Sequence, residues 1–189
     1  MGQRLSVSYT HLIIDISVGL DEKLEIYQGD PQFMLEPWYS ICENGYMLSR
    51  ISMGTHTGTH IDAPCHFIEE AKRVDEIPLD CFFGECEVID DLLSSTSKRV
   101  IITKKLSGGV LSAQQAQMVV KKRIKLIGTE ALSIGDDDVH RILLGAGCII
   151  LERVALDNVK CAKYFLACQP LKMDADGSPV RACLIEGIL

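Results

Sequence analysis

His56-Thr57-Gly58-Thr59-His60-Ile61-Asp62-Ala63-Pro64-Cys65-His66 is the stretch on which the reading of this 189-residue chain turns. Three of the chain's 5 histidines and one aspartate fall inside it. Imidazole and carboxylate are the ligands expected for zinc or a similar first-row divalent metal. The spacing of His56 and His60 would put both on one face of a helix, but Gly58 lies between them and Pro64 drives Ala63 out of helical geometry. The run therefore reads as extended, with positions 56, 58, 60, 62, 64 and 66 sharing parity and projecting to one side. At about 3.3 Å per residue, His60 and Asp62 stand about 7 Å apart and can share an ion, whereas His56 and Asp62 would stand about 20 Å apart and cannot. The chain has to bend between them. Gly58 is the residue that turns at little steric cost, and the hydroxyls of Thr55 and Thr59 are placed to hold its backbone.

Outward from this motif, short apolar segments bounded by Gly, Asp, Ser or Pro predict strands over residues 11–18, 46–53, 86–91, 99–103, 123–127, 148–154, 164–168 and 182–188. One helix is predicted from Ser112, with Gln115 completing a capping box, to about Lys122. A second starts in Asp136-Asp137-Asp138, where carboxylates suit the positive end of the helix dipole, and ends near Gly145 or Gly147. Strands outnumber helices and only some are separated by them. The fold class is therefore α/β, with mixed β-sheets and helices packed outside. No repeat or long linker interrupts the series, and residues 1–189 read as a single domain.

Composition narrows the partners. With 47% hydrophobic residues the chain has ample material for a core. A net charge of −7, from 26 acidic and 19 basic residues, disfavours nucleic acid or an anionic membrane surface as the main partner. The dense basic stretch Lys121-Lys122-Arg123-Ile124-Lys125 reads as a solvated helix end running into a strand. No apolar run approaches the roughly 18 residues of a membrane-spanning helix. The 8 cysteines include no C-x-x-C pair and follow no apolar leader, so the expectation is reduced thiols in the cytoplasm, some of them, such as Cys148, acting as small core residues.

A second pair, His140 and Glu152, lies downstream. His140 falls on the second predicted helix, where a lone histidine is ordinarily just a half-buried residue. Glu152 ends an otherwise buried strand, and a buried carboxylate is costly without a partner. A metal, Arg153 and Arg141 are all open as that partner.

Residues 56–66 reproduce every fixed position of H-x-G-T-H-x-D-x-P-x-H, the signature of the cyclase or bacterial kynurenine formamidase family of metal-dependent hydrolases, which the chain resembles over nearly its whole length. Ile14-Asp15-Ile16-Ser17 is similar to that family's first strand, and Tyr27-Gln28-Gly29-Asp30-Pro31 to its aromatic-P-G-D loop. Val139-His140-Arg141-Ile142-Leu143-Leu144 through Ile150-Leu151-Glu152 is similar to its H-R-x-L-L…I-x-E segment.

The resemblance implies that His56, His60 and Asp62 bind one divalent ion and that Asp62, Glu152 and His140 bind a second, zinc or manganese. It implies His66 as the proton-transfer residue, a swivelling β/β/α fold, a homodimer or higher homo-oligomer, and a small-molecule substrate. Three positions depart from the pattern: Gln28 stands where proline is common, Arg153 where asparagine is frequent, and Tyr27 where kynurenine formamidases tend to carry tryptophan. Tyr27 is the expected substrate contact; Phe33 and Trp38 are further candidates for an aromatic wall, with ordinary core or loop packing the favoured reading of both.

The activity expected on this basis is amide C–N hydrolysis by metal-activated water, on an arylformamide of the N-formylkynurenine type or a cyclic amide of the isatin type. A cyclase or dehydratase using the same site is the alternative enzyme. A non-catalytic, metal-dependent ligand-binding protein is the alternative from another class.

Overall fold

The computed structural model describes residues 12–187. Position 11 of the first predicted strand and position 188 of the last lie outside the described residues. In chain order the strands are β1 (Ile13–Asp15), β2 (Met34–Tyr39), β3 (Leu48–Ser52), β4 (His60–Asp62), β5 (Phe83–Ile89), β6 (Arg99–Ile102), β7 (Leu126–Thr129), β8 (Ile149–Glu152), β9 (Lys163–Ala167), β10 (Gly177–Pro179) and β11 (Cys183–Ile185). The helices are α1 (Ile41–Asn44), α2 (Ala113–Lys121) and α3 (Asp137–Gly145).

Nine strands form one mixed sheet in the order β1-β11-β9-β5-β6-β7-β8-β4-β10. Its centre, β5 to β8, is parallel, and the flanking pairs are antiparallel. The crossovers after β6 and β7 carry α2 and α3. Alternation along the central strands sends Val100, Ile102, Ile127 and Ile150 to a core shared with Val119, Leu143 and Leu144 of these helices. The opposite parity, Ile101, Leu126, Ile149 and Leu151, meets Ile61 of β4 and Leu166 and Leu184 of β9 and β11 in a second core. Strands from both halves of the sheet reach that second core, so the sheet curls around it. A bridge from Ser17 to Val154 ties the two halves together. Burial on both faces explains why Val100-Ile101-Ile102 reads as a continuous apolar run rather than an alternating one.

Both long helices begin where the sequence places them. The Ser112 hydroxyl accepts from the Gln115 amide and the Gln115 side chain returns to the Ser112 amide, while Asp136 accepts from the Val139 amide. The strand predicted over 123–127 starts later, at Leu126. The reason is local: Arg123 adopts φ 55, and the amides of Arg123 and Ile124 still bond back to Val120 and Val119, so these residues close the helix.

Two further strands escaped the pattern. β2 contains Pro37, which demotes a segment read from sequence, and β10 is a three-residue Gly-Ser-Pro segment with no apolar signal. Among the described residues β2 pairs only with β3, and every residue of both is exposed. The predicted strand over 46–53 thus forms, but in a separate hairpin outside the main sheet.

Candidate metal centre

The site lies beyond the C-terminal ends of β7 and β8, the position at which open α/β sheets offer a crevice. β4 runs antiparallel to β8 with His60 opposite Glu152, so register alone brings an imidazole against a carboxylate. His60 and Asp62 share parity and point to the site, while Ile61 between them enters the core. His140 arrives from the first turns of α3. His56 lies on the turn before β4, and Gly58 provides the bend with φ +69.

A side chain at position 58 meets that backbone strain as well as the Leu20 side chain, 2.5 Å from the Cβ position. Gly58→Ala is expected to cost about 1–2 kcal/mol of stability, the usual penalty of a left-handed residue, measured by urea denaturation of the metal-free protein.

Each of the three imidazoles bonds through one ring nitrogen outside the centre and turns the other inward. His60 Nδ1 donates to the Gly58 carbonyl at 2.8 Å, leaving Nε2 3.3 Å from Asp62 Oδ1 and 3.5 Å from Glu152 Oε2. His140 Nδ1 donates to the Asp136 carbonyl at 2.8 Å, and its Nε2 lies 3.3 Å from Glu152 Oε1 and 3.8 Å from Asp62 Oδ2. His56 Nε2 bonds to Asp176 Oδ2 and its Nδ1 faces Asp62 Oδ1, both at 2.8 Å. Orientation of a ring by a backbone carbonyl or carboxylate on the far nitrogen is the habit of metal-binding histidines.

Three sets of potential ligand atoms lie within 4.8 Å of one another: a half-buried one, His56–His66–Asp176, and two more deeply buried ones, His56–His60–Asp62 and Asp62–His140–Glu152. Asp62 belongs to both of the latter. Its Oδ2 is buried without a hydrogen-bond partner among the described residues, a costly state for a carboxylate oxygen that a cation relieves. The donor set and this orphaned oxygen fit a divalent ion.

Electrostatics point the same way. Burial pushes His60 down, but hydrogen bonds and charge from Asp62 and Glu152 outweigh it and raise its pKa to about 10. His140 is raised to about 9, burial again being outweighed by Glu152, the Asp136 carbonyl and Asp62. Burial likewise opposes the low pKa of Asp62, which His56 and His60 hold down. Without an ion, protons on the imidazoles balance the carboxylates; a divalent cation replaces them.

His66, on the turn Pro64–His66, stacks beside His56 with ring centroids 3.9 Å apart and bonds through Nδ1 to Asp176 Oδ2 at 3.1 Å. It stands outside both groups that share Asp62, and it lines a cavity of about 270 Å³ together with Tyr27, Asp30, Phe67 and Ser133.

The structure brings His56, His60, Asp62, His66, His140 and Glu152 together and puts Tyr27 at the mouth. It does not bring Phe33 or Trp38: Phe33 is buried elsewhere, and Trp38 is exposed on the hairpin beside Arg50, so neither lines the cavity. The aromatic that joins Tyr27 there is Phe67, stacked on His140 at 4.8 Å. Neither arginine pairs with Glu152. Arg153 pairs with Glu25, and Arg141 donates to the Phe67 carbonyl and covers its ring. Glu152 instead accepts from the Ile134 amide at 2.7 Å and faces the two histidines. Asp176 went unread because an acidic residue before a three-residue strand carries no periodic signal.

A curled mixed sheet with paired histidine–carboxylate groups under a small cavity is the arrangement of a candidate divalent-metal centre. The family model described as "Putative cyclase" matches residues 14–107. A kynurenine formamidase from Bacillus cereus is 34% identical over 200 residues, covering 90% of this chain and 96% of that protein. The chain belongs to this cyclase and kynurenine formamidase family. The structure described as a predicted metal-dependent hydrolase from Bacillus stearothermophilus is similar at 27% identity and TM-score 0.79, covering 94% of this chain and 99% of that one. Isatin hydrolase A from Labrenzia aggregata shares the fold at TM-score 0.79 and 22% identity, covering 93% of each chain.

Proposed function

We propose that this chain hydrolyses a small non-peptide amide, an arylformamide of the N-formylkynurenine type or a cyclic amide of the isatin type, using two divalent ions, zinc or manganese, per subunit. The observation that carries the reading is Asp62, whose two oxygens face two separate histidine sets and whose Oδ2 has no hydrogen-bond partner among the described residues. His56, His60 and Asp62 would hold one ion, and Asp62, His140 and Glu152 the other. When bound there, a divalent ion would supply a nucleophile at neutral pH by lowering the pKa of water from about 16 to near 7.

The remaining work falls to side chains. His66 bonds through Nδ1 to Asp176, leaving Nε2 to take a proton from the attacking water and return it to the departing nitrogen. Tyr27 and Phe67 border a cavity sized for one aromatic ring and its amide.

The test is turnover of N-formylkynurenine, isatin and a panel of cyclic imides by zinc- or manganese-loaded protein. Hydrolysis of at least one, abolished by chelation and restored by metal, is expected; silence on all with metal bound in stoichiometric amount would overturn the amidase reading.

The same proposal extends to assembly and setting. Residues 1–189 act as one domain, since a single sheet and its helices carry the described site. The β2–β3 hairpin exposes Met34, Leu35, Trp38, Leu48 and Ile51, and an isolated two-stranded hairpin is marginal by itself, which supports a homodimer covering this arm. All 8 cysteines are free, and Cys86, Cys148 and Cys168 are buried with pKa values pushed up by burial, which supports the reducing cytoplasm. No helix among the described residues is long and apolar enough to cross a membrane.

A further inference from the structure

Among the described residues Asp176 is the one carboxylate that hydrogen-bonds to both His56 and His66, and the roles proposed above give it none. Its Oδ2 accepts from His56 Nε2 at 2.8 Å and from His66 Nδ1 at 3.1 Å, while its Oδ1 accepts from the Thr55 hydroxyl at 3.0 Å. Three donors in and beside the motif thus converge on one carboxylate supplied by a segment 120 positions further along the chain. The segment is itself tied down. The Ala63 amide donates to the Asp176 carbonyl at 2.8 Å, and Gly177 lies opposite Asp62 in the β4–β10 pairing.

A second observation concerns the neighbouring residue. A Cβ at Gly177 would stand 2.6 Å from His56 Cε1, 2.9 Å from its Nε2 and 2.9 Å from the Ile61 carbonyl oxygen. The backbone of β10 therefore presses against the His56 ring from one side while Asp176 holds its far nitrogen. Together they leave one orientation for the ring, with Nδ1 toward Asp62.

We propose that Asp176 is a positioning residue shared by the metal centre and the proton-transfer histidine. Its carboxylate holds His56 in the Nε2–H tautomer, so that the Nδ1 lone pair is aimed at the ion, and holds His66 in the Nδ1–H tautomer, so that Nε2 is the nitrogen offered to the cavity. One side chain thus sets the ring orientation and tautomer of two functional histidines, as an orienting carboxylate does separately for a metal ligand and for a general base elsewhere. The inference rests on the metal reading above, but its test is independent of any substrate.

Asp176→Ala, Asp176→Asn and His60→Ala are compared with wild type by zinc competition against a chromophoric chelator, by melting temperature without metal, and by imidazole nitrogen NMR of the zinc-loaded protein. Zinc affinity is expected to fall about 10- to 100-fold in Asp176→Ala, the usual cost of removing such an orienting group. Asp176→Asn, which keeps one acceptor oxygen, should fall in between, and the metal-free melting temperature should drop by only a few degrees, about the cost of the hydrogen bonds lost. His66 should pass from the Nδ1–H to the Nε2–H tautomer in the alanine variant. Zinc affinity within twofold of wild type in Asp176→Ala, with His60→Ala clearly weakened, overturns the positioning role and leaves the metal centre standing. Unchanged zinc affinity in His60→Ala overturns both. A loss of affinity matched by a metal-free melting temperature lowered beyond those few degrees and by unaltered tautomers makes Asp176 a structural residue only and overturns the proposal.

Discussion

Asp62→Ala is expected to abolish stoichiometric metal binding and lower amide hydrolysis by at least about a thousandfold, roughly 4 kcal/mol of transition-state stabilisation. The size follows from the sharing. Loss of His60 removes a ligand nitrogen that faces both carboxylates, whereas loss of Asp62 removes an oxygen from each of the two groups at once. The three inward nitrogens of His56, His60 and His140 then have only Glu152 between them, a poor match for two dications. A single stabiliser of developing negative charge is worth about a hundred- to a thousandfold, and here the source of the nucleophile is lost as well. The measurements are metal content by atomic emission after gel filtration, turnover, and the rise in melting temperature on adding zinc. Wild type should gain stability with metal and the variant should gain none. Full metal content in the variant would sink the two-ion arrangement.

His66→Ala has the second-largest effect, and its signature is the opposite. His66 bonds to Asp176 rather than to Asp62 or Glu152, so its removal should leave both groups that share Asp62 and their metal content intact. What disappears is the imidazole proposed to relay the proton between water and the departing nitrogen. The expected loss in kcat is about a hundred- to ten-thousandfold, the range for a general acid–base group. Dialysed protein should hold the wild-type metal stoichiometry, and turnover is followed with the amide that wild type hydrolyses. An unchanged kcat would remove His66 from the chemistry and point to another proton carrier.

Much of this centre was legible before any coordinates. Gly58 and Pro64 exclude a helix, and distance alone requires a bend, which Gly58 makes with φ +69. The capping box at Ser112 and the acidic start at Asp136 place both long helices, because those signals are local hydrogen-bonding chemistry. What could not be read is what depends on distant partners. From the residues alone Glu152 stands open between a metal and two arginines, and only the family resemblance assigns it to an ion; an arginine next in sequence is not next in space, and Arg153, at φ 60, turns away toward Glu25. Phe67 and Asp176 acquire meaning only when their rings or oxygens arrive beside His140, His56 and His66. Trp38, read as a packing residue in preference to an aromatic wall, stays away from the cavity: it is exposed on a hairpin that, among the described residues, pairs with no strand of the main sheet.

The contact from His56 to Asp176 has a consequence for how the molecule comes to be made. The ribosome delivers the motif with more than a hundred residues still to be synthesised, and closing a loop of 120 positions is a late, entropically costly event. A nascent chain that has the first three candidate ligands in hand still lacks His140, Glu152 and the anchor that orients His56. Tight capture of an ion would therefore follow docking of the C-terminal strands. A metal bound in this order would latch a finished fold rather than nucleate it.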